Sequence, residues 1–121
     1  MSLEGNSGPY LQYAHARARS ILAKSKGSKN TQGQKLDVAE RTLATKIAEY
    51  GDVVQRAVDE LMPHHVAGYL YELAQVFNRF YEVSRVVGDP RESVRLALVE
   101  AYADVLQDGL NLLGVEAPSH L

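Results

Sequence analysis

The sequence predicts an all-α fold, an antiparallel bundle of about five helices, from three features. Apolar residues recur at spacings of three and four along most of the chain, which is the period of an amphipathic helix. Helix-start and helix-stop signals separate these stretches, among them Asp37 with Glu40 and the glycines Gly51, Gly88 and Gly114. No stretch alternates as a half-buried strand does. The 121 residues, 45% of them hydrophobic, suit one domain with one core.

The first helix is predicted from Pro9 to Lys26. Proline suits the first turn of a helix because its missing N–H would have no partner there. One side of this helix is apolar, at Leu11, Ala14, Ala18, Ile21 and Leu22. Another side carries aromatic and basic residues, Tyr10, Tyr13, Arg17 and Lys24. That side suits contact with RNA or with an adjoining domain. Residues 1–8 are interpreted as a linker or a vector-derived start, and residues 9–121 as the helical domain.

Two shorter helices are predicted next. The second begins at Asp37, where Glu40 three residues later has the spacing of a capping box. Gly51 is predicted to end it, and Asp52 to cap a short third helix that reaches Leu61.

The fourth helix is predicted from Pro63 to Gly88 and should lie at the centre of the bundle. Its long apolar row comprises Val66, Leu70, Leu73, Phe77, Phe80, Ser84 and Val87. Such a continuous row is typical of a helix that packs on a core over its whole length.

The fifth helix is predicted to start at Asp89-Pro90, with Glu92 at capping-box spacing, and to end at Gly114. Its apolar face is wide, which indicates burial on more than one side and a central place beside the fourth helix. Gly109 within this face is expected to allow close approach of a neighbouring helix.

The net charge of −2 hides an uneven distribution. Residues 1–50 carry eight Lys and Arg against four Asp and Glu. No acidic residue interrupts a basic run that comprises Arg17, Arg19, Lys24, Lys26, Lys29 and Lys35. Such runs are commonly solvated faces or loops, and they also attract a phosphate backbone. The sequence leaves both interpretations open.

Patterns typical of enzymes are missing from the sequence. The chain has no cysteine, which excludes disulfides and thiolate chemistry. His64 and His65 are adjacent and point to different sides of a helix, so they cannot form a metal-binding pair. His15 is predicted to be a hydrogen-bonded packing histidine. Because no phosphate-binding glycine loop is present either, we expect no active site, no metal and no cofactor in this domain.

The sequence also lacks a candidate membrane segment. No apolar run approaches the roughly 18 residues needed to cross a bilayer, and no signal-peptide pattern opens the chain. The absence of cysteine suits a reducing compartment. We therefore expect a cytoplasmic location, with neither a membrane nor DNA as a partner.

A candidate RNA-binding stripe lies beside the apolar row of the fourth helix, at Asn78, Tyr81 and Arg85. An Asn amide can pair with a base edge, a Tyr ring can stack on a base, and an Arg can stack or contact phosphate. The structural alternative is that Tyr81 packs against a neighbour and that Arg85 pairs with Glu82 or Asp89.

Three segments resemble, in the same order, parts of the C-terminal anticodon-binding domain of arginyl-tRNA synthetases, the DALR type named after an Asp-Ala-Leu-Arg signature. Residues 5–17 resemble the segment that joins the catalytic domain to the helical domain. Residues 70–82 resemble the central helix, and residues 95–98 with 105–116 resemble the last helix and its turn. Cysteinyl-tRNA synthetases carry a related domain, but the opening segment favours the arginine enzyme.

The resemblance implies that the domain binds the anticodon stem-loop of arginine tRNA and adjoins its own catalytic domain. The implied parent is a class I arginine–tRNA ligase of protein biosynthesis, which uses ATP and Mg²⁺ for aminoacylation. No nucleotide-binding signature of that class occurs in these 121 residues, so the domain by itself is expected to be non-catalytic.

The resemblance also assigns anticodon contacts to Tyr81 and to the terminal residue, Leu121. The family usually ends in methionine, so Leu121 departs from the pattern while keeping an apolar side chain. The complete predicted tRNA-binding set is Tyr10, Tyr13, Arg17, Lys24, Asn78, Tyr81, Arg85 and Leu121. The alternative function is a helical protein-interaction module.

Overall fold

The computed structural model describes residues 7–25, 35–62 and 64–114, apart from the side chain of Ser7. Over these ranges the fold is all-α, as predicted, and contains no strand. The helices are α1 (Ser7–Lys24), α2 (Val38–Ala48), α3 (Tyr50–Glu60), α4 (His64–Val83) and α5 (Glu92–Leu112). α1 begins two residues before the predicted start at Pro9, and the predicted end at Lys26 lies outside the described residues.

α4 and α5 form the centre of the bundle, as predicted. α1 and α2 each pack on both of them, and α3 packs on α4. In the core, Phe77 of α4 stacks on Tyr102 of α5, with ring centroids 4.1 Å apart and planes 5° from parallel. Leu73 and Leu106 belong to the same core and are fully buried. The long apolar rows of the two helices therefore face each other and the surrounding helices.

Gly109 lies at a close contact between α5 and α4. A Cβ added at this position would lie 2.6 Å from Leu70 Cδ1, well inside van der Waals contact. Leu70 is fully buried and has little room to move. Any larger residue here would have to displace the Leu70 side chain, which confirms the predicted close approach.

Gly51 does not end the second helix, so that prediction is wrong. α2 and α3 are separated by Glu49 alone, and Gly51 lies in the first turn of α3. Glu49 keeps helical backbone angles (φ −71°, ψ −13°), and Val53 N donates to Glu49 O at 3.1 Å. A glycine in a helix costs only about 1 kcal/mol relative to alanine. Packing of the flanking apolar residues on the core outweighs that cost.

α4 ends at Val83, five residues before the predicted end at Gly88. Ser84 and Val86 are buried after the helix has ended, whereas Val87 is exposed. Gly88 has φ of +87°, the left-handed conformation that glycine adopts without strain, so it forms part of the turn to α5. Helical spacing therefore applies only as far as Val83.

The two predicted capping boxes have different outcomes. At the start of α2 the box is formed: Glu40 N donates to Asp37 Oδ1 at 2.8 Å, and Asp37 N donates to Glu40 Oε1 at 2.9 Å. The box predicted before α5 is not formed, because the Glu92 carboxylate accepts from Gly88 N at 3.0 Å instead. At the other end, Gly114 with φ of +77° follows α5 as predicted.

Candidate nucleic-acid interface

Four of the predicted site residues meet where α1 crosses α4, and we call Tyr10, Arg17, Asn78 and Tyr81 the α1–α4 cluster. The Arg17 guanidinium carbon lies 4.9 Å from the centroid of the Tyr81 ring, which is a cation–π contact. Arg17 Nη1 donates to Asn78 Oδ1 at 3.3 Å, and Asn78 Nδ2 donates to Tyr10 Oη at 3.1 Å. The fold therefore joins residues that lie more than 60 positions apart in the sequence.

Tyr81 is partly packed and partly exposed. Its ring stacks with Phe77, one helical turn earlier, with centroids 5.9 Å apart and planes 15° from parallel. The alternative interpretation, in which Tyr81 packs against a neighbour, is therefore correct for its contact with Phe77. The ring nevertheless keeps solvent-accessible surface at the end of α4.

Arg85 lies beyond the end of α4, so the helical spacing that grouped it with Asn78 and Tyr81 does not apply. Its side chain is exposed, and Nε donates to Val87 O at 3.3 Å. That hydrogen bond differs from the pairing with Glu82 or Asp89 in the structural alternative. Arg85 and Tyr81 still line the same concave surface after the end of α4.

The remaining predicted site residues are not part of the α1–α4 cluster. Tyr13 is 53% exposed on α1, and Lys24 is exposed in its last turn. Leu121, Lys26 and Lys29 lie outside the described residues. Of the basic run, Lys24 and Lys35 are exposed among the described residues.

Arg19 of the basic run is bound to other side chains of the same chain, partly at the surface. Its Nη2 donates to Asp104 Oδ1 at 2.9 Å and to Gln107 Oε1 at 3.0 Å, both on α5. Its Nε donates to Nε2 of His15, which is 1% exposed. His15 is therefore a hydrogen-bonded packing histidine, as predicted, and Arg19 joins α1 to α5.

A buried charge network was missed by the sequence analysis, and we call Asp37, Glu40, Arg91 and Arg95 the Glu40 network. The Glu40 side chain is fully buried. It binds Arg91 Nη2 at 2.5 Å and Arg95 Nε at 2.7 Å, and Arg95 Nη2 binds Asp37 Oδ2 at 3.0 Å. The hydrogen bond from Arg91 is the largest cause that lowers the pKa of Glu40 to about 2. Glu40 is therefore a carboxylate under all ordinary conditions.

Tyr102 lies near the α1–α4 cluster, in the core of α5. Its hydroxyl is buried and has no hydrogen-bond partner among the described residues. Burial raises the pKa of Tyr102, and the nearby Arg17 partly offsets this. The Tyr102 side chain is therefore a neutral phenol, and its ring packs in the core against Phe77.

The described residues contain no cluster of three or more His, Asp or Glu side chains that could hold a metal ion. His65 Nε2 lies 3.0 Å from Glu60 Oε1, and His64 is exposed. In the ranges that the structure describes, no helix is both long enough and apolar enough to cross a membrane.

Comparison with curated proteins finds this chain similar to one part of arginine–tRNA ligases. It is 42% identical over 125 aligned positions to the arginine–tRNA ligase of Limosilactobacillus fermentum, covering 100% of this chain and 22% of that protein. It is 44% identical over 128 positions to the arginine–tRNA ligase of Thermobifida fusca, with the same coverage. The chain thus spans about a fifth of the length of the curated relatives that it matches.

Solved structures agree with the sequence matches. Arginyl-tRNA synthetase of Thermus thermophilus superposes with a TM-score of 0.88 at 36% identity, over 99% of this chain and 22% of that one. The Plasmodium falciparum enzyme superposes with a TM-score of 0.82 at 26% identity, over 98% and 22%. A family model described as DALR anticodon binding domain matches residues 11–121. The chain therefore belongs to the DALR anticodon binding domain family.

Proposed function

We propose that this domain binds the anticodon stem-loop of arginine tRNA as part of a class I arginine–tRNA ligase. The observation that carries the proposal is the α1–α4 cluster, in which Arg17 and Phe77 hold a partly exposed Tyr81 ring at the end of α4. Unpaired RNA bases are commonly bound by stacking on such rings. Membership of an anticodon-binding family supports the anticodon as the RNA element that would supply those bases.

The side chains around Tyr81 differ in how they can contact RNA. Arg85 lines the same concave surface and can contact a base or a phosphate with its guanidinium. Asn78 uses one N–H and one lone pair within the α1–α4 cluster, and an amide has two of each. We therefore propose that Asn78 supports the site first and contacts a base with its remaining donor or acceptor.

The other predicted residues would contribute at the edge of the interface. Lys24 and the guanidinium of Arg17 would attract the phosphate backbone without reading its sequence. Tyr10 and Tyr13 would contact RNA or the adjoining domain of the parent enzyme. Leu121 remains a proposed anticodon contact on the resemblance alone.

Chemistry is proposed to take place elsewhere in the parent enzyme. ATP, Mg²⁺ and arginine would bind to the catalytic domain, and this domain would position the tRNA for aminoacylation. We place the parent enzyme in the cytoplasm, where protein synthesis consumes its product.

A purified sample of this chain should give no arginine-dependent exchange of pyrophosphate into ATP, and any such exchange would overturn the non-catalytic assignment.

Contact with the parent's own catalytic domain is the second proposed interaction. An apolar groove near the start of α4 suits it, lined by Val54, Ala57, Val58, Leu61, Val66, Leu112 and Leu113. Leu61 is 85% exposed, and apolar patches of this kind mark protein contacts. Leu61→Asp should increase proteolysis between the domains of the parent enzyme and leave the fold of this chain unchanged. Equal proteolysis of variant and wild type would argue against the contact.

Fluorescence anisotropy on this chain tests the main proposal. We expect tighter binding to arginine tRNA than to a non-cognate tRNA at two salt concentrations. Higher salt should weaken binding to both tRNAs, because phosphate contacts contribute less, while the preference for arginine tRNA persists. Equal affinity for both RNAs would contradict the proposal and favour a protein-interaction module.

A further inference from the structure

We propose that Arg95 is a positioning residue for RNA recognition. Held by the buried Glu40, its guanidinium fixes the Arg85 peptide after the end of α4 and so sets the direction of the Arg85 side chain. The inference rests on the proposed function, in which Arg85 contacts the anticodon.

Arg95 joins three parts of the fold through three nitrogens. Nε donates to Glu40 Oε2 at 2.7 Å, Nη2 donates to Asp37 Oδ2 at 3.0 Å, and Nη1 donates to the carbonyl oxygen of Arg85 at 2.7 Å. Arg95 and its bond to Glu40 are buried, and its bonds to Asp37 and to the Arg85 carbonyl are partly buried. The planar guanidinium therefore sets the distance between the start of α2 and the segment after α4.

Glu40 cannot turn to release Arg95. Among the described contacts, its Oε1 accepts from Asp37 N and Arg91 Nη2, and its Oε2 accepts from Arg91 Nε and Arg95 Nε. Four donors match the four lone-pair sites of a carboxylate. Glu40 therefore stays in one position and stays negatively charged, so it holds Arg95 in place.

The Arg85 peptide needs an external partner because it has left the helix. α4 ends at Val83, and the described backbone hydrogen bonds nearby come from Ser84 N to Phe80 O and from Asp89 N to Val86 O. The Arg85 carbonyl instead accepts from Arg95. A shift of this peptide would move the Arg85 guanidinium relative to the Tyr81 ring on the same concave surface.

Stability alone is a weak reason for such a network. Buried ion pairs are often no more stabilising than well-packed apolar residues of the same volume, because desolvation offsets the attraction. A charged network that ends on one particular carbonyl is better explained by the geometry that it imposes. In this molecule, that geometry concerns the peptide of a proposed RNA contact.

Arg95→Lys in this chain tests the proposal, because an ammonium keeps the charge but lacks the planar fork that spans Glu40 and the Arg85 carbonyl. The NMR shift of the Val86 amide should change, since this amide belongs to the peptide that loses the hydrogen bond. The Kd for arginine tRNA should rise about tenfold, as when one charge-assisted hydrogen bond is lost. Arg91→Lys is the matched control: it weakens the same Glu40 network but leaves the bond from Arg95 to the Arg85 carbonyl in place, so both readouts should change much less than in Arg95→Lys.

A double-mutant cycle separates positioning from general support of the fold. If Arg95 acts through Arg85, then Arg95→Lys has no further effect on the Kd of Arg85→Ala. Additive effects, or an equal response to Arg91→Lys, would overturn the inference. If Arg95→Lys fails to fold, Glu40→Gln takes its place in the same cycle and should shift both readouts in the same direction.

The cycle also distinguishes failure of this inference from failure of the proposed function. No binding of arginine tRNA by the wild-type chain would overturn the proposed function, and with it the RNA role of Arg95. An unchanged Val86 amide in Arg95→Lys would overturn the positioning claim alone, whatever the wild-type affinity.

Discussion

The Glu40 network and the α1–α4 cluster both join helices through arginine side chains, yet they differ in burial and in bonding. Glu40 is fully buried and holds two arginines by bonds of 2.5–2.7 Å. In the α1–α4 cluster, Arg17 has one hydrogen bond of 3.3 Å and a ring contact at 4.9 Å with a partly exposed Tyr81. The difference indicates a rigid frame on one side and, on the other, an adaptable surface that is the proposed RNA-binding site. The segment after α4, which carries Arg85, lies between them.

The largest expected difference between the two regions is in stability. Glu40→Ala leaves Arg91 and Arg95 without their shared buried partner and should cost about 3–5 kcal/mol. Arg17→Ala removes one cation–π contact and one long hydrogen bond, and it should cost no more than about 1 kcal/mol. Urea unfolding of both variants measures the difference. Equal losses would contradict the division into a rigid frame and an adaptable surface.

Acid should weaken the frame selectively. The Arg91 hydrogen bond, with help from Arg95 and Asp37 N, lowers the pKa of Glu40 from its ordinary value of 4.5 to about 2. Because the folded-state pKa is the lower one, this stabilisation is complete above about pH 5 and is lost as the pH falls toward 2. At 1.36 kcal/mol per pKa unit, its size is roughly 3 kcal/mol.

Urea unfolding between pH 7 and pH 2.5 checks this dependence. Other carboxylates also titrate in this range, so Glu40→Gln is the reference. Its stability should fall less steeply with decreasing pH than that of the wild type. Parallel curves for the two proteins would show that Glu40 is not responsible.

On the recognition side, Tyr81→Ala should act on tRNA binding more than on the fold. Losing a stacking ring costs about 1–3 kcal/mol per base, so the KM for tRNA in the parent enzyme should rise about tenfold. Arginine activation should stay intact, because that chemistry is assigned to another domain. Tyr81→Phe keeps the ring and should behave as wild type. Loss of activation in Tyr81→Ala would show that the change spreads beyond RNA contact.

The smallest expected effect concerns the basic run. Lys24 is exposed, whereas Arg19 is bound to Asp104 and Gln107. Lys24→Ala should flatten the plot of log affinity against log salt by up to about one unit, and Arg19→Ala should flatten it less. A larger change for Arg19 would mean that its internal contacts give way to phosphate.

Local features of the fold could be predicted from the sequence because their causes lie within a few residues. The Asp37–Glu40 capping box depends on a spacing of three, and the apolar rows of α4 and α5 repeat at helical intervals. The role of Gly109 was predictable in kind, since a glycine in an apolar helix face favours a close neighbour. Its partner, Leu70, was not predictable from spacing.

Contacts between residues that lie far apart in the chain could not be predicted from the sequence. Glu40 has a complete local explanation as a capping residue, and nothing near it indicates that Arg91 and Arg95, more than 50 positions away, share its carboxylate. The early end of α4 also depends on a long-range contact, because the bond from Arg95 to the Arg85 carbonyl stabilises a non-helical segment. Arg85 therefore shares a concave surface with Tyr81 although the helical spacing that grouped them does not extend to it, and its RNA contact stays a prediction.

The central claim is that Tyr81 takes part in reading the anticodon, and one binding measurement tests it most directly. The Kd values of the wild-type chain and of Tyr81→Ala are compared for arginine tRNA and for a variant of the same tRNA that lacks the anticodon bases. Loss of a base contact predicts that Tyr81→Ala weakens binding to the native anticodon about tenfold and changes binding to the variant little. An equal loss for both RNAs would contradict the claim and make Tyr81 a structural residue.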